Sequence, residues 1–170
     1  MKRDPDGATY WITLSGLEPG KEYPYQYFID GNLTVADPLA EKVLDPWSDG
    51  YINEATYPGL IDYPTGKASG IVSVFQTAQP DYVWAVPDFA SPPTEKVVIY
   101  ELLIRDFIAA HNYATLTDTI SYLKTLGVNA IELMPIMEFE GNESWGYNPS
   151  FFIAPDKYYG PANELKQFID

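Results

Sequence analysis

The chain has no cysteine, one histidine, and only 10 basic residues against 24 acidic ones. Without thiols, disulfides and thiolate metal sites are excluded. The lone imidazole, His111, cannot supply a histidine-based triad or a zinc cluster within one chain. The formal charge is −14. A field of that sign repels phosphate, and no Lys/Arg cluster offsets it, so nucleic acid and anionic membrane surfaces are poor partners while neutral sugars remain compatible. No run of about 18 apolar residues exists to span a bilayer. The start, Met1-Lys2-Arg3-Asp4-Pro5, has no apolar stretch behind it and does not read as a signal peptide. Because it opens directly on a hairpin pattern, it is expected to be a boundary inside a longer protein. The compartment therefore stays open, with bacterial secreted or periplasmic export of the parent still compatible.

What is present is apolar and aromatic. At 46% hydrophobic the chain can bury a core, and it carries 14 Tyr, 8 Phe and 4 Trp, rings that suit both β-sandwich cores and wet binding surfaces. The first half reads as short strands between turns. Asp6-Gly7 precedes the β-rich Thr9–Leu14, and Glu18-Pro19-Gly20 forms the next turn. Tyr23, Tyr25, Tyr27 and Ile29 then alternate along one strand, where Pro24 predicts an edge position or a bulge. Leu33–Val35, Gly70–Gln76 and Tyr82–Val86 read as further strands. The pattern predicts an antiparallel, immunoglobulin-like β-sandwich that is incomplete, roughly five strands against the usual seven or so. The tyrosine stripe is either sandwich core or an aromatic binding face; core is the plainer reading.

Ser91-Pro92-Pro93-Thr94 marks the expected boundary, giving a module over 1–92 and a second unit over 93–170. Val97–Ile104 is a nearly continuous apolar run, as in a parallel strand covered on both faces. Thr115-Leu116-Thr117-Asp118 reads as a helix start. Leu116, Ile120, Leu123 and Leu126 follow at helical spacing, with Gly127 as the stop. Val128–Met134 is a second buried strand closed by Pro135, a long loop runs to about Pro155, and another helix begins near Ala162 with Leu165, Phe168 and Ile169 on its apolar face. The βαβα order implies a parallel sheet. Two strands cannot close a barrel, so this half is expected to be truncated, with a chance of self-association through its open strands.

Several of these segments coincide with one family. Val98–Phe107 resembles the first barrel strand of the α-amylase family, glycoside hydrolase family 13. Tyr122–Pro135 is similar to its first helix and second strand, and Ser144-Trp145-Gly146-Tyr147-Asn148-Pro149 with Ala154-Pro155 and Tyr159-Gly160 resembles the loop that follows. Gly16–Tyr23 and Ala36-Asp37-Pro38 are similar to the sandwich module that often precedes such barrels. The resemblance implies an incomplete β-sandwich followed by the start of a (β/α)8 barrel. It also implies a parent that cleaves or transfers at α-glucosidic bonds of starch or glycogen by a retaining mechanism, which needs a nucleophilic carboxylate and an acid about 5–5.5 Å apart. In the family these residues follow the fourth and fifth strands. They are expected beyond Asp170, so the chain itself is expected to be inactive. α-Amylase-type hydrolysis is the first expectation, with glucan branching or debranching as the enzymatic alternative. A non-catalytic starch-binding or structural module is the alternative of another class.

The resemblance makes Tyr147 the chief substrate-binding candidate, its ring set against a sugar. Asn148 could hydrogen-bond a sugar hydroxyl or hold the turn before Pro149. Trp145 is a further candidate, with a packing anchor as its plainer reading. Glu101 and Glu132, each within an apolar strand, read as structural ion-pair members with Arg105 at hand. Glu138, Glu140 and Glu143 could bind a cation but lack a ligand spacing, so solvated charge is favoured. No cofactor is expected; calcium in the parent stays open. His111, beside Asn112, reads as a surface residue.

Overall fold

A computed structural model describes every residue from Met1 to Asp170. The molecule is rich in β structure, arranged in small sheets. In the first half, β1 (Lys2–Arg3) pairs antiparallel with β2 (Tyr10–Trp11) around the Asp6-Gly7 turn. Three strands form the main sheet of this half: β3 (Glu22–Tyr25), β6 (Val43–Leu44) and β7 (Val72–Gln76), in the order β3-β7-β6. Pro24 sits opposite Val74 on an edge strand, where a missing N–H costs nothing on the open side. Leu44, Val72 and Val74 form its small core.

The stripe Tyr23–Ile29 does not make one strand. It breaks at Gln26 into β3 and a separate hairpin, β4 (Tyr27–Ile29) with β5 (Leu33–Val35). The Gln26 amide donates to the carbonyls of Ser69 and Ile71 at 2.8 and 2.7 Å, pulling the chain out of the ladder at the point where the pattern alone would continue it. Nor is Tyr82–Val86 a strand. Its Ala85 and Val86 N–H groups donate to the Asp170 carboxylate at 2.9–3.1 Å, and the Tyr82 hydroxyl does so at 3.2 Å. A carboxylate at the chain's far end thus satisfies donors that a sheet would otherwise have to pair.

The second half is built on β8 (Ile99–Leu102) and β9 (Ala130–Leu133), which pair in parallel, Ile99 with Ala130 through Leu102 with Leu133. Between them lie α1 (Ile104–Phe107), α2 (Tyr113–Asp118) and α3 (Ile120–Thr125). Ile104 thus opens a helix rather than ending a strand. The cap of α2 is Asn112, whose side chain accepts from Thr115 N–H at 2.9 Å, so the helix begins one turn earlier than Thr115 implied. Gly127, at φ 83°, stops α3 as expected. The stretch expected as a loop after β9 contains a second hairpin, β10 (Met137–Phe139) with β11 (Pro149–Pro155), its register interrupted on both sides of Glu138. Finally α4 (Ala162–Ile169) buries Leu165 but leaves Ile169 exposed.

The larger core lies here: Leu102, Ile104, Tyr113, Leu116, Leu123, Phe139, Tyr159 and Leu165, with Tyr100, Ile131 and Leu133 packed against it. Tyr100 and Leu102 of β8, and Ile131 and Leu133 of β9, therefore face the helices. The alternate residues, Ile99 and Glu101 on β8 and Glu132 on β9, are on the opposite face and exposed. The two strands are covered on one face only.

Candidate functional site

The loop between β10 and β11 carries the sequence candidates, and its placement follows from one glycine. Gly146 is buried at φ 85°, and a Cβ there would lie 2.1 Å from the Pro135 carbonyl oxygen. Only glycine lets the loop backbone press onto the residue just past the end of β9. Arg105, one residue into α1, reaches the same loop from the end of β8, its guanidinium donating to the Ser144 carbonyl at 3.4 Å. Between these anchors Trp145 and Tyr147 stand out from the surface, 65% and 66% exposed. Trp145 belongs to neither buried cluster, and its neighbour Gly146 makes the close contact with the strand end. Asn148 accepts a hydrogen bond from the Ser144 hydroxyl, which also accepts from Gly146 N–H at 3.0 Å. Asn148 thus braces the turn, with its amide group left at an exposed position.

The acidic candidates separate. Glu101 and Glu132 lie opposite one another in register, both exposed. Arg105 instead bonds its neighbour Asp106 at 2.9 Å, so the expected ion pairing of the two glutamates is absent. Glu140 and Glu143 are exposed, but Glu138 is buried and paired with Lys157, so it is not solvated charge. No group of three or more His, Cys, Asp or Glu side chains is arranged to hold a metal ion.

Lys157 was not singled out by the sequence, and it is the most enclosed charge in the molecule, with 2% of its side chain exposed. Its ammonium meets Glu138 and, at 3.2 Å, the Asp49 carboxylate from the first half. Asp156 completes the group, accepting from the Phe139 and Tyr158 N–H groups at 3.1 and 2.8 Å. Burial pushes the Glu138 carboxyl up to about 8 against the pull of Lys157, and pushes Asp156 up to about 6. Asp49 is raised for the same reason. Lys157 loses hydration too, but Glu138 and Asp49 outweigh that loss and hold it above the usual lysine range. The directions agree: Glu138 and Asp49 pair with one ammonium and Asp156 lies close by, so burial and mutual repulsion raise the carboxyls while together they hold the lysine up.

In the first half the tyrosine stripe is committed to structure. The hydroxyls of Tyr25 and Tyr27 donate to Asp37 at 2.8 and 2.9 Å, and Tyr23 stacks on Phe75. Partial burial opposes ionisation of Asp37, but the Leu39 N–H and the two hydroxyls together hold its carboxyl below the usual range. His111 is half-buried rather than free at the surface, its ring stacked on Tyr158 at 4.1 Å.

Comparison with known proteins agrees with this architecture. The chain is 28% identical over 170 residues to a malto-oligosyltrehalose trehalohydrolase of Saccharolobus solfataricus, covering 100% of this chain and 26% of that protein. It is 31% identical over 168 residues to a 1,4-α-glucan branching enzyme of Oleidesulfovibrio alaskensis, covering 92% of this chain and 24% of the enzyme. The chain is thus similar in sequence to a segment of malto-oligosyltrehalose trehalohydrolases and of 1,4-α-glucan branching enzymes. It spans about a quarter of the length of those relatives, and no protein-family model matches it. A solved Salmonella typhimurium structure assigned as an α-amylase shares the fold, with a TM-score of 0.67 at 24% identity over 92% of this chain and 22% of that one. The group B streptococcal pullulanase SAP, solved with maltotetraose, gives a TM-score of 0.59 at 21% identity over 87% of this chain and 22% of the pullulanase.

The residues brought together at the ends of β8 and β9 are Arg105, Ser144, Gly146 and the exposed Trp145 and Tyr147. Glu101 and Glu132 lie opposite one another on the open face. The buried Lys157 group carried one readable signal: a lysine between Asp156 and two tyrosines, in a segment with no other charged residue between Glu143 and Glu164.

Proposed function

We propose that the chain is a non-catalytic segment of an α-glucan-acting enzyme of the α-amylase family, and that it contributes a sugar-contacting loop. In this reading residues 1–92 belong to an immunoglobulin-like sandwich module and residues 93–170 open a (β/α)8 barrel. Tyr147 stacks on a pyranose ring, Trp145 flanks it, and Asn148 offers its amide to a hydroxyl. The observation that carries the reading is the pinning of an exposed aromatic pair at the C-terminal ends of two parallel strands by Gly146 and Arg105. Barrel enzymes assemble their sites at such ends. The parent acts by retention on α-1,4-linked glucan, with hydrolysis as the first assignment. The likeness to branching enzymes favours transfer as the second.

The test is a maltotetraose titration followed by NMR of the Trp145 indole and the amides of residues 144–148. Shifts that saturate at millimolar sugar and vanish in Tyr147→Ala support the reading. Shifts confined to the Tyr23–Tyr27 region would support a starch-binding module, and no shifts anywhere would leave the segment a structural unit.

A further inference from the structure

The loop that carries Trp145 and Tyr147 hangs from a hairpin with a poor ladder. The β10–β11 register slips on both sides of Glu138, so regular backbone pairing does not hold its base. Side chains do. Asp156, directly after β11, accepts from Phe139 N–H on β10, and Glu138 on β10 accepts from Lys157 N–H at 3.3 Å while pairing with the Lys157 ammonium.

Two consecutive residues of the first half close on this arrangement. Asp49 places one carboxylate oxygen 3.2 Å from the Lys157 ammonium and uses the other to accept from Asp45 N–H at 2.9 Å. Its neighbour Ser48 accepts, at its carbonyl, a 2.8 Å hydrogen bond from the Asn142 amide in the middle of the loop. Ser48 and Asp49 therefore grip the base and the span of the same loop, in a setting where Lys157 is almost wholly enclosed. A buried cation gives its partners well-defined positions, because any displacement leaves a charge uncompensated out of water.

We infer that Asp49 is a positioning residue: through Lys157 and Glu138 the first half of the chain sets the conformation of the 140–148 loop and thereby its fitness to bind sugar. The inference rests on the proposed glucan contact at Tyr147 for its functional part only. Its structural part, control of loop order by Asp49, stands or falls separately.

The experiment compares the wild-type chain, Asp49→Asn and Asn142→Ala by hydrogen exchange resolved to residues, with maltotetraose affinity as a second readout. Asp49→Asn keeps the side chain's shape and leaves Lys157 paired with Glu138, so folding is expected to survive. Amides in 140–148 should then exchange about tenfold faster, while β3, β6 and β7 keep their protection. Maltotetraose binding should weaken by about tenfold. Asn142→Ala, which leaves the buried charges untouched, should loosen the same loop to a smaller degree.

Unchanged exchange in the loop of Asp49→Asn would overturn the inference. So would a uniform loss of protection throughout the chain, the signature of a merely structural ion pair. Faster loop exchange with no sugar binding even in the wild type would keep the positioning role and sink the glucan reading instead. Faster loop exchange with unaltered affinity would remove the functional half of the inference.

Discussion

The two halves of this chain bind a lysine to carboxylate in opposite ways. In the first half Lys42 forks onto Glu22 at 2.8 and 2.9 Å, with 14% and 23% of the two side chains exposed and the Tyr57 ring beside the ammonium. In the second, Lys157 is enclosed among Glu138, Asp49 and Asp156. Water can still solvate Lys42 if a partner is lost; Lys157 has no such recourse. The cores follow the same contrast. Three buried apolar residues hold the sheet of the first half, whereas eight form the cluster beneath β8 and β9. The half whose strands lack neighbours is also the half with the greater internal investment.

The sharpest way to break this comparison is to remove the two lysines in turn. Lys157→Met should cost about 3–5 kcal/mol, because it strands buried carboxylates. Lys42→Met should cost about 1 kcal/mol or less, as partly exposed pairs do. Urea denaturation of both variants measures the difference. Equal losses would mean that Lys157 reaches water and that the contrast between the halves is false.

Next in size is Gly146→Ala, which tests whether the loop depends on backbone contact with Pro135. A methyl 2.1 Å from the Pro135 oxygen cannot be accommodated, and φ 85° alone costs roughly 1–2 kcal/mol for a residue with a side chain. The loop should move, maltotetraose shifts at Trp145 should disappear, and the first half should keep its spectrum. A variant that retained those shifts would show that Gly146 does not place the aromatic pair.

pH sharpens the comparison further. Glu138 and Asp156 are both raised in the folded chain, so the native state holds protons that the unfolded state releases. Stability from this group is fully present below the ordinary carboxylate range and is lost as pH rises through about 6 and then about 8. The chain should therefore gain stability on going from pH 8 to pH 5, and Glu138→Gln should flatten most of that slope. On further acidification the sign reverses, because Asp37 is held below the usual range and its protonation frees Tyr25 and Tyr27. Denaturation midpoints across pH 4–9 read both limbs. A slope equally steep in Glu138→Gln would assign it to the overall negative charge instead.

How much of this was legible in the sequence depends on the distance between partners. β8, α3 and β9 could be read because apolar runs, helical spacing and the stops at Gly127 and Pro135 are local signals. The cap at Asn112 was missed because Thr115, three residues on, offered the same chemistry and is in fact the donor to that cap. Tyr82–Val86 has strand composition, but its donors go to Asp170, 84 to 88 residues away, which no window over the chain reveals. Glu138 read as solvated for the same reason: its partner lies 19 residues on, and the other carboxylate on that partner comes from the first half. At the candidate site the aromatics were legible from the family resemblance. The clamp around them was not, since Gly146, Arg105 and Ser48 act through contacts made only after folding.

The smallest expected effect concerns Glu101 and Glu132. They face each other in register on adjacent parallel strands, on the face no helix covers, and neither has a cationic partner. Like charges directly opposite across a sheet are unfavourable by roughly 0.2–1 kcal/mol, so Glu132→Gln should stabilise the chain by a few tenths of a kcal/mol. The gain should shrink at high salt, where the repulsion is screened. The same variant tests the one arrangement in the chain that could be mistaken for a catalytic carboxylate pair. Retaining cleavage needs a nucleophilic and an acid carboxyl flanking a bound sugar, and these two stand exposed on an uncovered strand face. Neither the wild-type chain nor Glu132→Gln should release reducing sugar from starch above a blank. Activity in the wild type that disappears in the variant would place chemistry on this open face; a destabilised variant would mean that the two glutamates share a cation there.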